Sequence, residues 1–517
     1  MKAKKIIAGL LACTMVAATL LSGCGNSGKN SGGSGAGEND GRMVVASQGP
    51  ASKIDPQYFT GRDEWIPTMN IFETLVSRDE ELNIIPRLAE SWEYTDEENT
   101  TLVFHLRKDV KFHNGDQMTA DDVIYSLQRA YGSGYAVGKV NFIEEDGMTA
   151  LDDYTVELKL KYPMASALVL LSQTHVCIVD KKVCEEMGSV EEFSNNPIGT
   201  GPFKFVSNVE GGDTTLAANE DYYGQVPEIK ELVFHPVTEA ANRAIELETG
   251  GADYAINLLP TDLERLEDDE SVQFYRGLGW EISFVGYNMS KAPFDDINVR
   301  KALSMGLDRE AIVSAVYGTT GKVMDGPLPS STWGWYDGVK SLDYDPDGAK
   351  AMLKEAGYGD GLNLEIWTTD NQQRMEIAEI VQNQWAEIGV NAEIQIMESG
   401  TFKEKTNNGE HQVVISSYGG IGEPDHMLTS LYSSDVSTSN INKLFDPEVD
   451  ELLLAGRSTL DDDARKEIYK ELQLKLLDIC PATYLWESET LDAYSTKFKS
   501  ITYDPCRIPF EKFEFAD

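Results

Sequence analysis

Between residues 362 and 417 the hydrophobic period switches repeatedly. "LNLEIWT" alternates as a strand, and "QQRMEIAEIVQNQWAEIG" places Ile377, Ile380, Val381, Trp385 and Ile388 on one helical face. "VNAEIQIM" alternates again, and a short helix near "TFKEKTNN" leads into the apolar run "QVVISS". Strand, helix, strand, helix, strand at this spacing requires parallel pairing through right-handed crossovers. An α/β fold is therefore expected here, and an open parallel sheet takes its ligands beyond the carboxyl ends of its strands. The segment "YGGIGEPD" stands at that place, with glycines that let a ligand approach the backbone closely. Tyr418, Gly419, Gly420, Glu423 and Asp425 are its candidate ligand-binding residues, set against the alternative of a purely structural turn.

A chain of 517 residues exceeds one small core, so two or three packed units are expected. Hydrophobic residues at 41% are ample to fill them. With 44 Lys+Arg against 86 Asp+Glu the net charge is −42, and no basic stripe with interleaved aromatics interrupts it. A nucleic-acid partner is excluded on that ground, since a phosphate backbone needs clustered Lys and Arg. The acidity suits a soluble surface outside the cell; a field favouring cationic ligands is the other reading.

The N-terminus points to a compartment. Lys2, Lys4 and Lys5 precede "IIAGLLACTMVAATLL", which has the length of a signal-peptide core and falls short of the ~20 residues of a spanning helix. Leu21-Ser22-Gly23-Cys24 follows and resembles a bacterial lipobox, which implies removal of residues 1–23, lipidation of Cys24 and an extracytoplasmic, membrane-anchored protein. Gly23, Gly28 and Lys29 approach a phosphate-binding loop, but Asn30 replaces the hydroxyl that would hold magnesium and no strand precedes it, so a nucleotide site is rejected. Residues 24–42 are a Gly/Ser-rich tether whose random coil reaches roughly 20 to 25 Å. Cys177, Cys184, Cys480 and Cys506 remain, an even set in an exported chain; Cys177 with Cys184 and Cys480 with Cys506 are the sequence-local choices among three connectivities.

Other segments place further elements. "MVVASQ" and "IFETLV" read as strands, and "TLVFHLRKDVKFHNGDQ" as a hairpin region turning at Asn114-Gly115. "TADDVIYSLQRA" is a helix capped by Thr119, "YTVELKLKY" a strand, "PIGTGPFKF" a fixed loop entering a strand, and "TEAANRAIELETGGADYAIN" a helix closed by Gly250 and Gly251. "DPEVDELLLAG" is a helix capped by Asp446 and stopped at Gly456; "DDARKEIYKELQLKLLDIC" ends at Pro481. Enzyme signatures are missing: there is no G-x-S-x-G, no H-E-x-x-H and no finger-like Cys/His spacing, and the six histidines are scattered. No metal site and no cofactor is expected.

"FETLVSRDEELNIIPRLAESWE" with "TLVFHLRKDVKFHNGDQMTADDVIYSLQRA" resembles the first signature of extracytoplasmic solute-binding proteins of the peptide/nickel type (solute-binding protein family 5), which feed ABC importers. "PIGTGPFKF" and "NEDYYG" are similar to its second block, "GYNMSKAPFDDINVRKALSMGLDREAIV" to its third, and "YDPDGAKAMLKEAGY" and "AEIVQNQWAEIGV" continue it, from about residue 70 to residue 490 in order. The resemblance implies a two-lobed clamp of the periplasmic-binding-protein type. Residues 43–72, 190–278 and 487–517 would form one lobe, 73–189 an inserted subdomain of it, and 279–486 the other, with crossings near 278 and 487 acting as a hinge.

The resemblance implies no catalysis. It implies delivery of a small solute, a short peptide foremost, to ABC importer permease subunits by a monomer on the outer face of the cell membrane. An oligosaccharide, a modified amino acid or a metal chelate is the alternative solute, and a secreted lipoprotein hydrolase the alternative class. Peptide binders of this kind place an aspartate three residues before the [DE]-P pair, where it holds the peptide ammonium. Here the pair is Glu423-Pro424 and that position is Gly420, so either Glu423 or Asp425 substitutes or the ligand lacks the ammonium. Arg374 is a candidate partner for a ligand carboxylate or for a surface acid; Trp333 and Trp335, in "STWGWYDG", are candidates for a pocket wall or for packing between lobes.

Overall fold

The computed structural model describes residues 41–435 and 440–516. The expected signal peptide, Cys24 and all of the expected tether up to residue 40 lie outside the described residues; Arg42, assigned to the tether, already begins a strand.

The three-strand unit forms as its periodicity dictates. Leu362–Thr369 pairs in parallel with Val390–Met397 on one side and with Val413–Gly419 on the other. The helix Gln372–Glu387 packs on them, burying Ile377, Ala378, Val381 and Trp385. From Val413–Gly419 the main sheet continues through Val272–Tyr287, Ala482–Ser495, Tyr254–Ala255, Arg42–Ser47, Glu231–Pro236, Thr214–Ala218 and Phe203–Asn208. Val272–Tyr287 and Ala482–Ser495, of 16 and 14 residues, are the longest strands described and form an antiparallel pair in the middle of that path. Their ladder shifts register twice, at Ser283/Phe284 and more widely just before it: Leu278 faces Glu489 and Ile282 faces Glu487, so Gly279, Trp280 and Glu281 stand opposite Ser488 alone. Such a bulge bends a strand and re-aims its side chains.

A second sheet, Ala89–Tyr94, Thr101–Leu106, Thr155–Leu160 and Ile143–Asp152, carries the helix Ala120–Tyr131. Thr119 caps that helix as the sequence predicts, and Asp122 accepts from the Thr119 amide in return, a reciprocal cap. Two glycines of "PIGTGPFKF" are fixed by close approach: a Cβ on Gly199 would lie 2.0 Å from the carbonyl oxygen of Ile71, and one on Gly201 2.6 Å from that of Asn70.

Three expectations are corrected. "IFETLV" is not a strand, because the helix Arg62–Ile71 runs into it; Glu64 accepts from the Thr60 and Gly61 amides to start that helix, Ile66, Met69 and Ile71 bury its inner face, and pairing begins only at Val76. Gly456 does not stop its helix, which extends to Ser458; the glycine instead admits the Tyr469 ring, whose Cζ lies 2.7 Å from where a Cβ would stand. The four cysteines are free thiols: Cys177 and Cys184 lie in one apolar core, Cys480 in another, and burial raises all their pKa values, that of Cys506 to about 12.

Candidate functional site

The strand Val413–Gly419 delivers the glycine loop against the bulge. The Gly420 amide donates to the Trp280 carbonyl at 2.8 Å. Gly422 adopts a positive φ of 72° beneath the Trp280 indole, where a Cβ would come within 2.7 Å of the ring, so the turn needs glycine both for its conformation and for its contact. A Cβ on Gly420 would meet Met427 Cε at 2.8 Å and the Trp280 carbonyl at 3.1 Å, so the bare backbone at this position is a feature of the packing.

Glu423 then caps the helix Pro424–Tyr432, accepting from the Asp425 amide. Both acids are buried and both are engaged. Arg465 Nη2 lies 2.5 Å from Glu423 Oε1, and Arg457 Nε 3.2 Å from each oxygen of Asp425. Burial pushes the Glu423 carboxyl up and Arg465 pulls it back down; Ser166 Oγ and Thr429 Oγ1 also donate to Asp425. Neither carboxylate lines the cavity that the loop borders.

That cavity, about 300 Å³, lies between the Gly420–Ile421 loop with Trp280 on one side and residues of 59–87, 172–177 and 505–507 on the other. Its volume is at the lower end for small-molecule sites. Glu73 is the one carboxylate among the described lining residues, and it is saturated: Arg87 Nε lies 2.6 Å away, and the Thr200, Tyr222 and Tyr223 hydroxyls donate to it at 2.9, 2.7 and 3.0 Å. Arg507 pairs with Asp504 and Glu511. Arg78 reaches across from the strand Val76–Arg78, donates to the Ile421 carbonyl at 2.6 Å and stacks 5.0 Å above the Trp280 ring. Nearby, Lys139 Nζ sits 3.2 Å from His426 Nε2. Burial, reinforced by Arg78, lowers Lys139 to about 8; burial, reinforced by Lys139, lowers His175 and His426 to about 4 each.

The remaining candidates fall elsewhere. Gly419 is exposed with open space around it. Tyr418 packs against the core of Met427, Leu428 and Tyr484, and burial raises its phenol. Arg374 donates to Thr369 Oγ1 and Ser417 Oγ at 3.2 and 2.5 Å, and pairs with no carboxylate among the described residues. Trp333 stacks under the Arg465 guanidinium at 4.9 Å and its amide donates to the Gly422 carbonyl, which supports the loop from behind; Trp335 is 37% exposed. The structure thus brings Gly420 to the cavity and holds Glu423, Asp425 and Trp333 in a layer behind it. Sequence reasoning missed Arg78, Trp280, Glu73 and Lys139. Glu73, Arg78 and Arg87 lie in "FETLVSRDEELNIIPRLAESWE" and Tyr222 and Tyr223 in "NEDYYG", and the family resemblance of those stretches is the one available signal.

Residues 83–439 match the family described as bacterial extracellular solute-binding proteins, family 5 middle. The chain is 31% identical over 497 residues to a dipeptide-binding protein of Escherichia coli strain K12, covering 90% of this chain and 92% of that one. Among solved structures, HbpA2 from Haemophilus parasuis superposes with a TM-score of 0.85 at 25% identity, covering 92% of this chain and 100% of that one. The ABC transporter-associated periplasmic binding protein DppA from Helicobacter pylori, in complex with the peptide STSA, superposes with a TM-score of 0.75 at 26% identity, covering 91% and 96%.

Proposed function

Since this chain belongs to the bacterial extracellular solute-binding proteins of family 5, we propose that it captures short peptides outside the cell and hands them to the permease of an ABC importer. The observation that carries this reading is the cavity of about 300 Å³ beyond the carboxyl end of the strand Val413–Gly419, walled by residues from distant parts of the chain. A cavity so placed is entered by opening one part of the molecule from the other. The lobe boundaries near 278 and 487 are supported by the bulge at Gly279–Glu281, the wider of two places where the two long strands lose register. No catalytic step is assigned.

The test is a thermal-shift screen of the mature protein against di- and tripeptides, oligosaccharides, modified amino acids and metal chelates. Ligand at 100 times Kd adds about 2.7 kcal/mol, read as a rise of a few degrees in Tm. Peptides are expected to give the rise; a rise with sugars or chelates alone would replace the peptide with that solute, and turnover of the stabilising compound would replace binding with hydrolysis.

The lipobox-like Leu21-Ser22-Gly23-Cys24 supports anchoring at the outer face of the membrane through a lipidated Cys24. With Cys24→Ala, the protein expressed in a bacterial host is expected to move from the detergent phase to the aqueous phase on Triton X-114 partitioning. Unchanged partitioning would remove the anchor from the proposal.

A further inference from the structure

Arg78 is 6% exposed and lines the cavity, yet it forms no ion pair among the described residues. Its one hydrogen bond spends Nη1 on the Ile421 carbonyl, and Nε and Nη2 have no protein acceptor among the described residues. A buried charge without a counter-charge costs several kcal/mol, and proteins retain one where something else supplies the partner. The surroundings provide none: Lys139 acts on Arg78 as a like charge, Lys139 faces the imidazole of His426 and pairs with no acid among the described residues, and Glu73 is fully occupied by Arg87 and three hydroxyls. In a chain with 86 acidic and 44 basic residues, an acid-poor cavity edged by an unpaired guanidinium is the reverse of the overall balance. At the opposite wall the loop presents bare backbone at Gly420, and its two acids, Glu423 and Asp425, are held behind it by Arg465 and Arg457.

We propose that Arg78 receives a carboxylate of the bound solute, while the ammonium of a peptide meets no anchoring carboxylate and is dispensable. This deepens the solute-capture reading and rests on it. The planar fork of arginine matches a carboxylate, and two sources of that group exist in a peptide, its C-terminus and an acidic side chain.

Isothermal titration of the mature protein separates them. The probes are Glu-Ala-Ala, Ala-Glu-Ala and Ala-Ala-Glu, their glutamine counterparts, the C-terminal amides of each, and the N-acetyl forms. The expected result is a loss on the order of 10- to 100-fold when one of the two carboxylate sources is neutralised; Glu to Gln identifies the side chain, amidation the C-terminus. Acetylation is expected to change affinity less than about 3-fold. In Arg78→Gln the penalty should collapse to near unity. Arg78→Lys, which keeps the charge without the fork, should retain part of it, and serves alone where the glutamine variant does not fold.

Peptides that bind with no carboxylate dependence, a penalty undiminished in both Arg78 variants, or binding abolished by acetylation would each overturn the proposal while leaving peptide capture intact. Absence of binding by every probe would overturn the peptide reading and this one with it.

Discussion

Replacing Arg465 by methionine is expected to destabilise the fold by about 3 to 5 kcal/mol and to abolish solute binding. Arg465 and Glu423 are 4% and 2% exposed, and beyond their pairing Arg465 Nε donates to the Gly456 carbonyl at 2.7 Å while its guanidinium lies over Trp333. Removing the cation leaves a carboxylate buried at the start of the helix that fixes the glycine loop. Burial already raises the Glu423 pKa, and without Arg465 it rises further, so the carboxyl takes up a proton closer to neutrality. With a folded pKa above the unfolded one, the folded chain holds a proton that the unfolded chain has released, and stability falls as pH rises through that window. The deficit against wild type is therefore expected to be smaller at pH 5 than at pH 8. Adding Glu423→Gln should recover much of it, since the orphaned charge is then gone. Urea midpoints at the two pH values check this; a deficit equal at both, with no recovery in the double variant, would show that Arg465 contributes by packing alone.

Acidification is expected to have a comparably large effect. His113, His175, His411 and His426 are each lowered to about 4, in every case chiefly by burial. An unfolded chain binds a proton at each near 6.5, and the folded chain refuses it until about 4. Stability is thus lost as pH falls through that interval, by up to about 1.4 kcal/mol per pH unit for each imidazole. Asp63, Asp122, Asp492 and Asp504, raised by burial, work in the opposite sense and partly offset the loss. A single substitution isolates the histidine contribution. His411 lies 2.8 Å from the Ile441 carbonyl through Nε2, and its Nδ1 has no partner among the described residues, so glutamine keeps a donor and removes the titration. In His411→Gln the slope of unfolding free energy against pH between 6.5 and 4 should decrease by about one proton. An unchanged slope would mean that His411 is protonated in the fold.

The parallel unit was legible because period is a local property: Ile377, Val381 and Trp385 declare a helical face without reference to the rest of the chain. The position of "YGGIGEPD" at the strand ends followed from that unit; that Gly420 lines a cavity is visible only in the fold. Arg78 was not legible, because in "SRDEEL" it reads as one more solvated charge; its burial depends on Ile421 and Trp280, which chain order places far away. Trp280 was hidden for a related reason, since a bulge is a mismatch between two strands and neither strand alone contains it. Glu423 and Asp425 illustrate the converse. Their position near the site was readable, but their engagement by Arg465 and Arg457 depends on how two later helices pack. Gly456 failed as a helix stop because a tertiary neighbour, Tyr469, required the missing side chain.

The placement of Ala482–Ser495 also governs the order in which the chain can fold. This strand follows every other described strand of the main sheet in the chain, yet it lies between Val272–Tyr287 and Tyr254–Ala255 at the centre of that sheet, contributing Asp492 to the Tyr254 hydroxyl and the Asn257 amide. Until it arrives, the earlier portion of the chain has two open strand edges and a tyrosine without its acceptor. Long-range pairing of this kind is slow, and unpaired edges invite association with other chains. A ribosome product cut short before residue 482 is therefore a different object from a receptor missing its tail: its sheet is in two separate pieces.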